Sequence, residues 1–395
     1  MTIDSTTPVI PLGKITAQRF LKDYWQKQPL VIRQAFTDFH SPVSAAELAG
    51  LACEEGVDSR ILIEKGGAHP WQVIYGPMDD MVFEELPESH WTLLVNDVEK
   101  HVPQLAWIVD SFRFIPEWRI DDLMISYAPE GGSVGPHLDQ YDAFILQAQG
   151  HRRWQIHSRE VTADNQVAGT DLRIQREFDA EQEWLLGPGD MIYIPPGVSH
   201  YGVATDDCLS FSIGFRAATH AEMLESLAAS ISEDLPAGLT YRDPPLVVQS
   251  HPNEITAATL EAVRATLGKY LDPDYPALPA WFGRFISDTR ADIVAENDDH
   301  FDDLPGLLSA HAILFRNPAS RFAFWREKYD VLLFVDGDEF RVTPAFAEAL
   351  CSTREINAQT LAATLTADEA DLVRDLYNRG KLIPQPSGAD DSLQE

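Results

Sequence analysis

Cysteine is scarce in this chain: Cys53, Cys208 and Cys351 are the only three in 395 residues, they lie far apart, and no C-x-x-C pair occurs. That excludes a disulfide framework and a thiolate zinc ribbon, and it points to a reducing compartment. Long hydrophobic runs are also missing, and none approaches the length a bilayer span needs. The first residues show no basic patch followed by an apolar core and a small-residue cleavage site, so a cytoplasmic protein with no membrane partner is expected. Positive charge is in short supply, with 30 Lys and Arg against 62 Asp and Glu, a formal net charge of −32. Such a chain repels phosphate backbones, so no direct DNA binding is expected. The same charge keeps a protein soluble and attracts a basic partner. Internal repeats, low-complexity tracts, a nucleophile elbow and a phosphate-binding glycine loop are all absent.

What is present is ample apolar material, 45% hydrophobic and 10% aromatic residues, enough for two or three packed domains. An opening segment, Phe20 to Trp25 followed by Pro29-Leu30-Val31-Ile32, has the composition of a cap. From about residue 120 to 216 the chain reads as short strands, Leu123–Tyr127, Ala143–Gln147, Arg153–Ile156, Met191–Ile194 and Leu209–Phe215, punctuated by Gly, Pro and Asp. That texture predicts a barrel or jelly roll. After residue 218, Met223, Leu224, Leu227 and Ile231, then Leu260, Val263, Leu267 and Leu271, fall at helical spacing and suit a linker or dimerisation layer. A third texture begins near Val294. Thr343-Pro344 is a helix start, Ile356–Leu365 and Asp368–Tyr377 read as helices, and Gly380–Ile383 as a wing strand, so a winged helix used for protein contacts is expected. The division is 1–217, 218–293 and 294–395.

The chemistry concentrates in Gly131-Gly132-Ser133-Val134-Gly135-Pro136-His137-Leu138-Asp139. On extended backbone, positions i and i+2 share a face, so His137 and Asp139 can point together into a barrel. Gly189-Asp190, an apolar strand and Pro195-Pro196-Gly197 then present His200. Two histidines and one carboxylate make a facial triad suited to ferrous iron. Three positions stay open, two for a bidentate 2-oxo acid and one for dioxygen, whereas zinc prefers a nearly closed tetrahedral set. His151 and His157 lie in a polar, Arg-containing stretch and are expected at the rim. Ser126 lies on the strand entering the site. Tyr141 shares parity with the ligands and is a candidate pocket wall. Asp142 and Glu130 are candidate partners for a cationic substrate side chain.

At these residues the chain resembles the cupin superfamily and, within it, the JmjC oxygenases. Gly131-x5-His137-x-Asp139-x10-Gly150 resembles the first cupin motif with Asp in place of its second His, and Gly189 to His200 the second. The longer string His137 to Gln147, with Gly150-His151-Arg152-Arg153-Trp154, resembles the bacterial ribosomal oxygenases, which hydroxylate an arginine of large-subunit ribosomal protein sixteen. The resemblance covers most of the chain. It implies a double-stranded β-helix core, a helical dimerisation region, a C-terminal winged helix and a homodimer. It also implies Fe(II), the co-substrates 2-oxoglutarate and O2, and a basic ribosomal protein as partner. Family position assigns Arg152 to the distal carboxylate of 2-oxoglutarate, and Arg153 competes, since strand parity turns only one of them inward. The family also places a small polar co-substrate contact where Ser210 and Ser212 stand. Other readings are a histidyl hydroxylase, an N-methyl-lysine demethylase, a metal-only cupin dioxygenase and a non-catalytic cupin-like binding protein.

Overall fold

The computed structural model describes residues 10–66, 71–157, 165–167, 174–271, 276–289 and 297–386. The expected boundary at Val294 lies outside them. The chain divides into two compact units, one of residues 1–217, 291–319 and 373–395, the other of 218–290 and 320–372.

Among the described residues of 1–217 there are eleven strands: β1 Leu30–Ile32, β2 Ser59–Glu64, β3 Trp71–Tyr75, β4 Trp91–Val95, β5 Ile120–Ala128, β6 Asp142–Gln149, β7 Arg152–His157, β8 Gln182–Leu186, β9 Met191–Ile194, β10 Ser199–Ala204 and β11 Cys208–Phe215. The helices α1 Ala17–Asp23, α2 Ala45–Ala52, α3 Asp80–Glu84, α4 Val98–His101 and α5 Ala106–Asp110 precede β5. Eight strands form one antiparallel sheet in the order β1-β9-β6-β11-β5-β4-β2-β3, and β10-β7-β8 form a second. This is the expected cupin-type barrel, and all five expected strands are present, each end within three residues of its predicted place and Met191–Ile194 matching at both ends.

Alternation along the strands separates two cores. Phe144, Leu146, Phe211, Ile213, Leu123 and Ile125 turn to the helical side of the large sheet and join the main cluster with Phe20 and Leu48. Ala143, Ile145, Ile192 and Ile194 turn the other way and meet Trp154, Ile156 and Leu186 of the small sheet. The cap is built on aromatics. Phe20 of α1 packs against Phe144 and Tyr193 at 5.3 and 4.9 Å between centroids, and Trp25 stacks on Tyr193 at 5.9 Å.

In the second unit, α6 His220–Asp234 starts with a capping box between Thr219 and Glu222. Then follow α7 Ala257–Gly268 and α8 Leu278–Ser287. Strands Phe322–Arg326, Val331–Val335 and Asp338–Val342 form a meander that the helical reading of the C-terminal region passed over. Helix Pro344–Ser352 starts where expected, with Thr343 accepting from the Phe346 N–H. The helix expected over Ile356–Leu365 is shorter. Strand Glu355–Asn357 comes first, and Asn357 caps helix Ala358–Ala362 through its side chain. Helix Ala367–Asn378, and strand Leu382–Pro384 of the first unit, match the remaining expectations. None of the described helices is long and apolar enough to cross a membrane.

Candidate metal and co-substrate site

The His-x-Asp segment is not a named strand but extended backbone between β5 and β6. It is held by one bridge, in which the His137 and His200 N–H groups donate to each other's carbonyl at 3.0 and 2.8 Å. The Gly197 N–H then donates to the Asp139 carbonyl at 2.8 Å. Two segments 60 residues apart in sequence are thereby sewn together so that their side chains face one point. Gly135 makes the approach possible: its φ is +77°, and a Cβ there would stand 2.8 Å from Ile174.

His137 Nε2 and His200 Nε2 each lie 3.7 Å from Asp139 Oδ2. The three donor atoms fall within 4.8 Å of one another, the only such group among the described residues. In both rings Nδ1 faces a backbone carbonyl, Gly135 O at 2.9 Å and Val198 O at 3.1 Å. A carbonyl only accepts, so the proton sits on Nδ1 and the Nε2 lone pair faces Asp139. Burial, then repulsion from His137, pushes the His200 pKa down to about 4, which keeps that imidazole neutral. Two imidazoles and one carboxylate fit a divalent ion with open positions.

Strand parity on β7 separates the two arginines. Arg152 is 4% exposed and faces inward with Trp154 and Ile156, whereas Arg153 is exposed and pairs with Glu183 at 3.6 Å. The Arg152 Nε and Nη2 atoms are buried without a protein partner. An unpaired guanidinium inside a protein is costly, and this one fits a carboxylate ligand.

Ser126 and Ser210 are buried directly opposite one another on β5 and β11. Each already has an internal bond, Ser126 Oγ to the Ser210 carbonyl at 3.4 Å and Ser210 Oγ to Gln147 Oε1 at 3.1 Å. Half-buried Ser212 continues the same face one pleat on. Tyr141 is 44% exposed, and its hydroxyl feels the charge of Asp139. Burial, then Asp139 and Asp122, push its pKa upward.

Asp142 does not join the group. It starts β6 on the parity of Phe144, fully buried, and accepts from Tyr193 Oη at 2.5 Å and Gln26 Nε2 at 3.1 Å, with Arg119 at 3.6 Å. It ties the cap to the sheet. Glu130 is exposed in the loop after β5, and its carbonyl accepts from the His90 N–H. Exposed His151 pairs with Asp206 at 2.7 Å, and His157 bonds the Asp179 carbonyl, away from the donor set.

The inward carboxylate is Asp122, which sequence reasoning passed over. It shares the parity of Met124 and Ser126, while Leu123 and Ile125 turn to the outer core. Burial, then the charges of Asp97 and Asp121, push its pKa up to about 7. Its carboxylate lies over β11, where a Cβ on Gly214 would stand 2.8 Å from Asp122 Oδ1. The signal was available, since Asp122 stands four residues before Ser126 on the same face.

The JmjC domain profile matches residues 107–223 and the ROXA-like winged-helix profile residues 276–382, while an AraC-like ligand-binding profile matches 177–288. The ribosomal protein uL16 3-hydroxylase of Escherichia coli is 38% identical over 275 residues, 69% of this chain and 72% of that protein. The chain belongs to the JmjC ribosomal oxygenases. A probable ribosomal oxygenase of Haemophilus influenzae is also 38% identical, over 59% of this chain and 55% of its own. The E. coli ribosomal oxygenase YcfD, solved with cobalt and succinic acid, superposes with a TM-score of 0.82 at 32% identity, covering 95% of this chain and 99% of that one. A second YcfD structure, with cobalt and 2-oxoglutarate, gives 0.81 over the same shares. As a member of this family, the oxygenase depends on Fe(II) and 2-oxoglutarate.

Proposed function

We propose that this oxygenase hydroxylates the β-carbon of an arginine in ribosomal protein uL16, with His137, Asp139 and His200 as iron ligands and Arg152 holding 2-oxoglutarate. The observation that carries the substrate reading is Asp122, a half-buried carboxylate on the inner face of β5 that it shares with Met124 and Ser126, lying over Gly214 of β11. An arginine guanidinium is the cation such a carboxylate pairs with best. The similarity to the E. coli uL16 3-hydroxylase supports the same target.

Ferrous iron with 2-oxoglutarate and dioxygen supplies the oxidising power, yielding succinate, carbon dioxide and one oxygen atom delivered to the substrate C–H bond. The chain's own residues supply position. The carbonyls of Gly135 and Val198 fix the imidazole tautomers. Arg152 sets the direction of the dicarboxylate, and Asp122 sets the depth of the arginine. The net charge of −32 steers a basic ribosomal protein toward the enzyme, with an attraction that salt screens. The site of action on such a substrate is cytoplasmic.

The organisation that goes with this reading is the oxygenase domain over 1–217, a dimerisation region over 218–293 and the winged helix beyond. None of the α7 residues is buried, and Leu260, Val263 and Leu267 form an exposed stripe that supports a homodimer.

The test is an assay of purified enzyme on an arginine-containing uL16 loop peptide and its lysine variant. A gain of one oxygen on the arginine peptide alone supports the reading. Oxygen on a histidine peptide, or loss of a methyl group from methyl-lysine, moves the enzyme to another branch.

A further inference from the structure

Arg152 is not alone in lacking a partner on the inner face of β7. The indole Nε1 of Trp154, a residue 5% exposed, is also buried with no acceptor. The register of β7 against β10 orders the rows of this wall: His200 lies opposite Ile156, Gly202 opposite Trp154 and Ala204 opposite Arg152. The indole therefore stands between the metal donors and the guanidinium, its ring centroid 5.9 Å from that of His200.

Packing holds the indole against β10. Its six-membered edge lies on Gly202, where a Cβ would come within 2.8 Å of Cη2. Trp154 is a member of the inner cluster with Ala143, Ile145 and Ile192. An indole N–H cannot rotate about its own bond, and a buried one ordinarily finds an acceptor. Two adjacent inward positions, two residues apart, thus both present unpaired donors to one side of the barrel.

We propose that the Trp154 indole N–H is a co-substrate donor that binds, together with Arg152, the distal carboxylate of the 2-oxo acid, and so selects a dicarboxylic one. A carboxylate offers about four lone-pair sites, so it can accept the two Arg152 donors and a third. The near carboxylate belongs to the metal end, two rows away from Arg152. This inference rests on the reading of Arg152 as the anchor.

The test is calorimetric titration of the full-length, Mn(II)-loaded protein with 2-oxoglutarate and with 2-oxopentanoate, which lacks the distal carboxylate. Trp154→Phe deletes the N–H and keeps an aromatic ring. It should weaken 2-oxoglutarate binding about tenfold or more, while leaving the affinities for 2-oxopentanoate and Mn(II) at wild-type values. Gly202→Ala, which displaces the ring without removing the N–H, should give the same selective loss. Wild-type 2-oxoglutarate affinity in Trp154→Phe would overturn the proposal, and so would an equal loss for both acids. Arg152→Ala separates the two levels: if it too binds 2-oxoglutarate normally, the anchor reading fails and the inference with it. If Arg152→Ala is weak and Trp154→Phe is not, only the indole's role is lost.

Discussion

Replacing Asp122 by Asn removes one negative charge from the inner face of β5 and leaves the shape of the side chain unchanged. The wild-type carboxyl titrates near 7, so about half of it is charged at neutral pH. If substrate arginine binds only the charged form, apparent affinity scales with the ionised fraction. It should rise about tenfold from pH 6 to well above pH 7 and then level off. The sign follows from the upward shift, since protons compete with the guanidinium on the acid side. Asn offers a neutral acceptor in place of a charge-assisted one, a loss of about 1.5–3 kcal/mol, or roughly 10- to 150-fold in affinity. The assay is peptide hydroxylation at varied peptide concentration from pH 6 to 8.5, read by mass. Asp122→Asn should raise the peptide KM by that factor and flatten its pH dependence, with the KM for 2-oxoglutarate unchanged. A variant with wild-type peptide KM and the wild-type pH slope would refute the assignment of Asp122 to the substrate.

Asp139→Ala and His200→Ala should each lose bound iron and all turnover with little change in far-UV circular dichroism; full iron content in either variant would break the ligand assignment. Glu99, buried on α4 and accepting the Leu123 N–H at 2.9 Å, is pushed by burial up to about 8. Its native pKa lies above the unfolded value, so the folded state holds the extra proton, and stability is lost as pH rises from about 4.5 to 8. Glu99→Gln, neutral at every pH, should therefore raise Tm over wild type by several degrees at pH 8 and by much less at pH 5.5, and an equal gain at both would contradict this. Leu260→Glu with Leu267→Glu, two exposed positions on α7, should convert the homodimer to monomer in light scattering, and a monomeric wild type would end the dimer reading.

The donor set was legible because it depends on local facts. Alternation puts His137 and Asp139 on one face, and Pro195-Pro196-Gly197 delivers a histidine wherever β9 ends. Parity also reduced the candidate anchor to one of two arginines, family position chose Arg152, and the structure turns that residue inward while Arg153 pairs with Glu183 at the surface. Asp142 shows the limit. Its place beside Tyr141 in sequence suggests the mouth, yet β6 begins there and turns it to the capped face, where Gln26 and Tyr193 take its lone pairs. Those partners lie 116 and 51 residues away, beyond any local pattern. The meander over Phe322–Val342 was missed for a different reason. Val331–Val335 is buried throughout, and a continuous apolar run does not separate strand from helix by period. In the same way, the short strand Glu355–Asn357 precedes a helix whose cap lies within the span read as helical.

The measurement closest to the central claim is intact-mass and peptide-map analysis of uL16 incubated with purified enzyme, Fe(II), 2-oxoglutarate and O2. One added oxygen on a single arginine, matched by one succinate, is expected, and none of either with Asp139→Ala. An unmodified arginine under conditions where 2-oxoglutarate is consumed, or an oxygen placed on a histidine, would contradict it.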